Sequence, residues 1–194
     1  MDNTPLSDAL ALRATASAFD AQRGKLPVPG DPHRSPDVVA VARQISELGK
    51  LVTDLGDEVL FRAADQDQAP HTARVITNFA AAVEPAGEAA SALGAVAHQL
   101  AFLNQTERLR AQPDAMDARE AAVLVMEEAL ATADAALHDG ADSLHTASAT
   151  VSPPSVQLQA ARSRSATTTT ALGSPPPGVT TAVAAPSDRI ARGR

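Results

Sequence analysis

Between residues 38 and 59 the apolar side chains Val38, Val41, Ile45, Leu48, Val52, Leu55 and Val59 follow one another at alternating steps of three and four. That spacing gathers them into one stripe of an α-helix, the a/d pattern of a coiled-coil seam, so the segment is stable as a helix only where another helix covers it. With Val38 at position a, the a row is Val38, Ile45, Val52 and Val59 and the d row is Val41, Leu48 and Leu55. The device recurs downstream. Val123, Leu130, Leu137 and Leu144 stand seven residues apart, with Met126, Ala133, Gly140 and Ala147 three residues after each. A weaker version runs through Ile76, Phe79, Val83, Ala86, Ala90, Leu93, Ala97 and Leu100.

Proline marks where these rods begin, because it is tolerated in the first helical turn and disruptive later. Thr4-Pro5 opens a short helix reaching about Gln22, and Gly24, Pro27, Pro29, Gly30 and Pro32 then make a loop. Ser35-Pro36-Asp37 opens a second helix, with Ser35 as the cap, and it runs to about Gln66. Pro70 opens a third to about Ala111, and Pro113-Asp114 a fourth that fades near Ala149. Pro85 falls inside the third and predicts a kink or break, since it removes a backbone donor and crowds the carbonyl of Ala81. Gly49 and Gly56, one heptad apart beside the second seam, either mark a close helix crossing there or are merely tolerated in the helix. The absence of Trp and Tyr, with only four Phe, also favours helix over sheet.

The fold class that follows is all-α: an elongated antiparallel bundle of about three long helices with heptad-like, coiled-coil packing, a short N-terminal helix laid against it, and a disordered C-terminal tail. Short connections near residues 67–69 and 112 make antiparallel neighbours, and each rod spans roughly 45–60 Å at 1.5 Å per residue. The domain organisation is a helix and Pro/Gly-rich loop over residues 1–34, the bundle over 35–149 and the tail over 150–194. The tail carries Pro153-Pro154, four threonines at Thr167–Thr170 and Pro175-Pro176-Pro177, a composition that buries too little apolar area to offset its ordering entropy. The second helix has β-branched residues at a, as two-stranded coils do, yet lacks complementary charges at e and g, where Leu51 widens the apolar stripe. An intramolecular bundle with only weak homo-oligomerisation is the expectation.

Charge is unevenly placed. Residues 1–149 hold 11 Lys and Arg against 22 Asp and Glu, a net −11, while residues 150–194 hold five Arg against Asp188, a net +4. An acidic body repels phosphate backbones and anionic lipid. The tail's Arg162, Arg164, Arg189, Arg192 and Arg194, with Ser163 and Ser165 each following one of the first two, read first as a solvating tail that can fold back on its own acidic body, and offer at most weak contact to nucleic acid, since no aromatic platform accompanies them. Zero cysteines exclude disulfides and thiol chemistry. The first residues carry Asp2 and Asp8 before Arg13 and build no apolar run, unlike a secretory signal, and no segment reaches the length of a membrane span. The expected address is cytoplasmic, without a membrane partner, and export by a signal-less route is the alternative.

The sequence offers little chemistry. There is no phosphate loop around Gly49-Lys50, no Gly-x-Ser-x-Gly elbow and no His-Glu-x-x-His pair. The best constellation is Asp134, His138, Asp142 and His145, spaced four, four and three along one stripe of the fourth helix, where a divalent transition metal could bind. The same spacing describes a solvated face beside the Leu137 and Leu144 seam, and the lack of a second Glu-x-x-His-like pair favours that reading. Asp117, Glu120, Glu127 and Glu128 likewise read as a solvated acidic face. No catalytic, cofactor-binding or metal residue is therefore assigned. In size and helicity the chain resembles the helical hairpins exported by type VII secretion, but without Trp it lacks their Trp-x-Gly turn, so no family follows. The expected role is that of a non-enzymatic interaction or structural protein. It presents amphipathic helices to a protein partner or to itself. The alternatives are a small metal-binding protein using His138 and His145, and an accessory protein of a nucleic-acid complex using the arginine tail.

Overall fold

The computed structural model describes residues 4–28, 31, 33–64 and 70–152. The predicted disordered tail lies, from residue 153 on, outside them. The described residues form four α-helices and one short 3₁₀ turn: α1 (Thr4–Gly24), α2 (Val38–Ala63), α3 (Pro70–Gln105), the turn Glu107–Leu109, and α4 (Pro113–Val151). Among the described residues there is no strand.

The helix starts follow the proline rules with one change. Pro70 and Pro113 open α3 and α4. For α2, however, Asp37 rather than Ser35 is the N-cap, its carboxylate accepting the backbone N–H of Ala40 at 2.9 Å. A carboxylate satisfies an orphan donor and also meets the positive end of the helix dipole. The ends differ more. α2 stops at Ala63 instead of Gln66, and α3 at Gln105 instead of Ala111. Arg119 of α4 explains the second stop, because its guanidinium donates to the carbonyl of Leu103 (2.6 Å) and the hydroxyl of Thr106 (3.0 Å) and pairs with Glu107 (2.8 Å). α4 runs two residues past Ala149, to Val151.

The helices pack antiparallel as a bundle. α3 lies along both α2 and α4, and α1 lies along α4 and touches α2 and α3 more lightly. α1 contributes more than a short covering helix would, since Leu12, Ala16 and Phe19 are fully buried in the common core. In α2 the d row Val41, Leu48 and Leu55 is buried as its spacing requires, but the a row is only half-buried and Gln44 and Leu51 of the g row go inside instead. α3 repeats this. Phe79, Ala86 and Leu93 are buried together with Val75, Ala82, Ala89 and Val96, while Ile76, Val83, Ala90 and Ala97 sit at the margin. A helix with a neighbour on each side buries a stripe wider than a two-row seam, and which flank goes deeper depends on where the neighbours stand.

Two expectations about special residues are narrowed. α3 is continuous through Pro85, which is half-buried against α4, so of the two outcomes predicted there the break does not occur. The close crossing is not at Gly49 or Gly56, where a Cβ would meet nothing within 4 Å. It is at Gly140 of α4, where a Cβ would lie 2.5 and 2.7 Å from ring atoms of Phe19 and 3.2 Å from Cγ of Pro85. Helices α1, α3 and α4 meet there because one residue has no side chain, and the ring of Phe19 fills the space.

Candidate functional site

The polar stripe of α4 is built into the α1–α4 contact. Arg23, in the last turn of α1, grips Asp134 in a two-pronged ion pair, Nε to Oδ1 at 2.7 Å and Nη2 to Oδ2 at 2.9 Å. Its Nη1 lies 3.4 Å from Nδ1 of His138, whose Nε2 is 3.6 Å from Asp142. Further along, Nε2 of His145 lies 3.0 Å from Oδ2 of Asp20 on α1. The hydrogen bond from Arg23 holds the Asp134 carboxyl below the usual carboxylate range, against a smaller opposing effect of burial, and Asp134 in turn raises the Arg23 guanidinium. The four residues thus share one face, but α1 divides them into an Arg23 group and an Asp20 group. A cation on this stripe would have to displace Arg23 from Asp134. Among the described residues no three His, Asp or Glu side chains gather as a metal-ligand group.

The other end of α1 meets α2 and α3 through a cluster that sequence reasoning missed. The side chains of Asp8 and Arg62 are only 8% and 10% exposed and pair at 3.2 Å. Arg62 also pairs with Glu58 and lies over the ring of Phe79, 4.7 Å from its centroid. His71 approaches Asp8 at 3.7 Å, and neither its Nε2 nor Oδ2 of Asp8 has a hydrogen-bond partner among the described residues. A signal for this cluster does exist. Arg62 continues the d row of Val41, Leu48 and Leu55 by one heptad, and an arginine in a seam needs a buried acceptor.

Gln44, the buried g residue of α2, donates to the carbonyl of Gln22 at 2.8 Å and so satisfies the C-terminal end of α1. Beside it Glu47 accepts from Lys25 (2.5 Å) and Gln22 (3.0 Å), and these two bonds lower its carboxyl, with Lys25 the larger influence. Arg34 donates to the carbonyls of Gly24 (2.9 Å) and Leu26 (2.5 Å), which folds the α1–α2 connection back on the bundle. An open cleft of ≈ 610 Å³ lies there, lined by Arg23, Leu26, Arg34, Glu127, Leu130 and Asp134.

Apolar side chains also remain on the surface. Phe61 and Leu60, in the last turn of α2, are 78% and 69% exposed. On the first half of α4, Met116, Val123, Leu124 and Val125 are exposed as well. Val123 therefore departs from the row it heads in the sequence, since Leu130, Leu137 and Leu144 are all buried. No helix of the described residues is long and apolar enough to cross a membrane.

The class of protein these observations define is an all-α helical bundle. Comparison with protein-family models, curated proteins and solved structures finds no match to this chain. Its own residues are accordingly what a functional reading has to rest on.

Proposed function

We propose that this chain is a non-enzymatic interaction protein, a cytoplasmic helical bundle that presents amphipathic helix surface to a protein partner or to another copy of itself. The observation that carries the reading is the set of large apolar side chains left exposed on a bundle whose long seams already pack internally. Scattered apolar residues are ordinary on any protein surface. A projecting Phe61 beside Leu60, and Met116 and Val123 seven residues apart on one face of α4, are the kind of side chains that partners cover.

The polar residues support the same reading, because the best-placed carboxylates are engaged in helix contacts. Asp134 holds Arg23, Asp20 accompanies His145, and Asp8 is buried against Arg62. Catalysis by proton transfer or nucleophilic attack needs a group free to reach a substrate in a cleft. Chemical cross-linking of the full chain in cells that express it, followed by mass spectrometry, tests the proposal. Cross-links from Lys50 or Lys25 to a partner or a second copy, lost in Phe61→Ser or Val123→Asp, are the expected result. A chain that stays free in every condition would reject it.

A further inference from the structure

We infer that the first turns of α4 carry a second, uncovered version of the surface that holds α1, and that this surface docks a basic amphipathic helix of another protein. The inference rests on the interaction reading above and gives it a place and a partner chemistry.

Where α1 lies, α4 presents two rows. One is apolar, the buried Leu130, Leu137 and Leu144. Beside it stands Asp134, the acceptor for Arg23. Residues seven apart return to nearly the same face of a helix, drifting by only about 20° per heptad. One and two heptads upstream the apolar row continues as Val123 and Met116, 39% and 56% exposed. The position of Asp134 is taken at the same two steps by Glu127 and Glu120. Neither glutamate makes a side-chain hydrogen bond or ion pair among the described residues, and both are exposed. The surface thus keeps its pattern while its cover stops, because α1 ends at Gly24 and Arg34 draws the following chain back toward Gly24 and Leu26. The cleft lined by Leu26, Glu127 and Leu130 lies where the covered and uncovered parts join.

The pattern specifies the occupant. An apolar row flanked by a carboxylate row at heptad spacing fits an antiparallel helix with an apolar stripe and Arg or Lys seven residues apart, and the pair of Arg23 on α1 with Asp134 shows one such contact. Met116 to Leu130 spans roughly 21 Å, so about four turns suffice. Among the described residues no cation pairs with this row: Arg119, the one cation on the first half of α4, is engaged with Leu103, Thr106 and Glu107, Arg23 is held by Asp134, and Arg34 donates to the carbonyls of Gly24 and Leu26. A second copy is disfavoured because the same face turned on itself sets Glu120 and Glu127 against their own kind, at a cost that like charges across an interface impose.

The test uses the full chain and a synthetic peptide of about 20 residues with leucines at heptad a and d positions and arginines along one flank, against an isomer of the same composition whose leucines are spread around the helix. Fluorescence anisotropy should show binding of the first peptide and not of the isomer. Val123→Asp and the pair Glu120→Lys, Glu127→Lys should each weaken it at least about tenfold. The pair Glu88→Lys, Glu128→Lys makes the same change of charge on a different groove and should leave affinity within about twofold, circular dichroism confirming that every variant is folded. Absence of binding, equal binding of the isomer, or equal loss with the control pair overturns the inference. So does a dimer of the unmodified chain that Val123→Asp dissociates, which would make a second copy the occupant. A cellular partner that survives all α4 variants but is lost in Phe61→Ser would reject this face and leave the interaction reading standing.

Discussion

Gly140→Ala adds one methyl group at the tightest contact of the bundle. In a helix interior alanine is favoured over glycine by about 1 kcal/mol, so without neighbours the change would stabilise. Here the new Cβ would stand 2.5 and 2.7 Å from the ring of Phe19, a side chain with no exposed surface and so no room to swing away. Overpacking of this kind costs about 1–3 kcal/mol. The net expectation is destabilisation by about 1 kcal/mol, which for about 150 residues lowers Tm by about 2–4 °C. Gly49→Ala and Gly56→Ala meet open space and should instead stabilise by about 0.5–1 kcal/mol each. Urea unfolding of the full chain followed at the helical circular-dichroism band measures all three. A double-mutant cycle with Phe19→Leu isolates the contact, since removing the ring should turn Gly140→Ala from unfavourable to neutral or favourable. A stabilising Gly140→Ala in the wild-type background would refute the assignment of this glycine as the crossing point.

Arg62→Met should destabilise by about 3–5 kcal/mol, because it leaves the Asp8 carboxylate buried without its ion-pair partner, and urea unfolding checks it. Asp134 and Glu47 have carboxyls lowered by hydrogen bonds from Arg23 and Lys25, so their contribution to stability is complete above the ordinary carboxylate pKa of about 4 and disappears as pH falls through the lower folded values. Carboxyl NMR titration should therefore give Asp134 a higher midpoint in Arg23→Ala than in the wild type, and identical midpoints would contradict the pairing. Elemental analysis of the purified chain should find no stoichiometric zinc, manganese or iron, because Arg23 and Asp20 already engage the polar stripe. A bound metal that vanishes in His138→Ala, His145→Ala would overturn this.

The helical class, the helix starts at Pro70 and Pro113 and the buried rows Val41-Leu48-Leu55 and Leu130-Leu137-Leu144 were legible in the sequence, because spacing along a helix is a local property and proline acts on its own turn. The rank of the rows was not legible. Gln44 and Leu51 go deeper than Ile45 and Val52 because α1 and α3 flank α2, and no spacing within α2 records where those neighbours stand. The same reason separates the glycines. Gly49, Gly56 and Gly140 all occupy heptad positions, and only the arrival of Phe19 and Pro85 from elsewhere in the chain makes Gly140 the crossing. It also governs the polar stripe of α4, whose spacing alone allowed a metal site or a solvated face. Tertiary structure placed Arg23 and Asp20 of α1 against it, so its charges became part of a helix contact, while Glu120 and Glu127 of the same periodic pattern have no ion-pair partner among the described residues, α1 ending at Gly24.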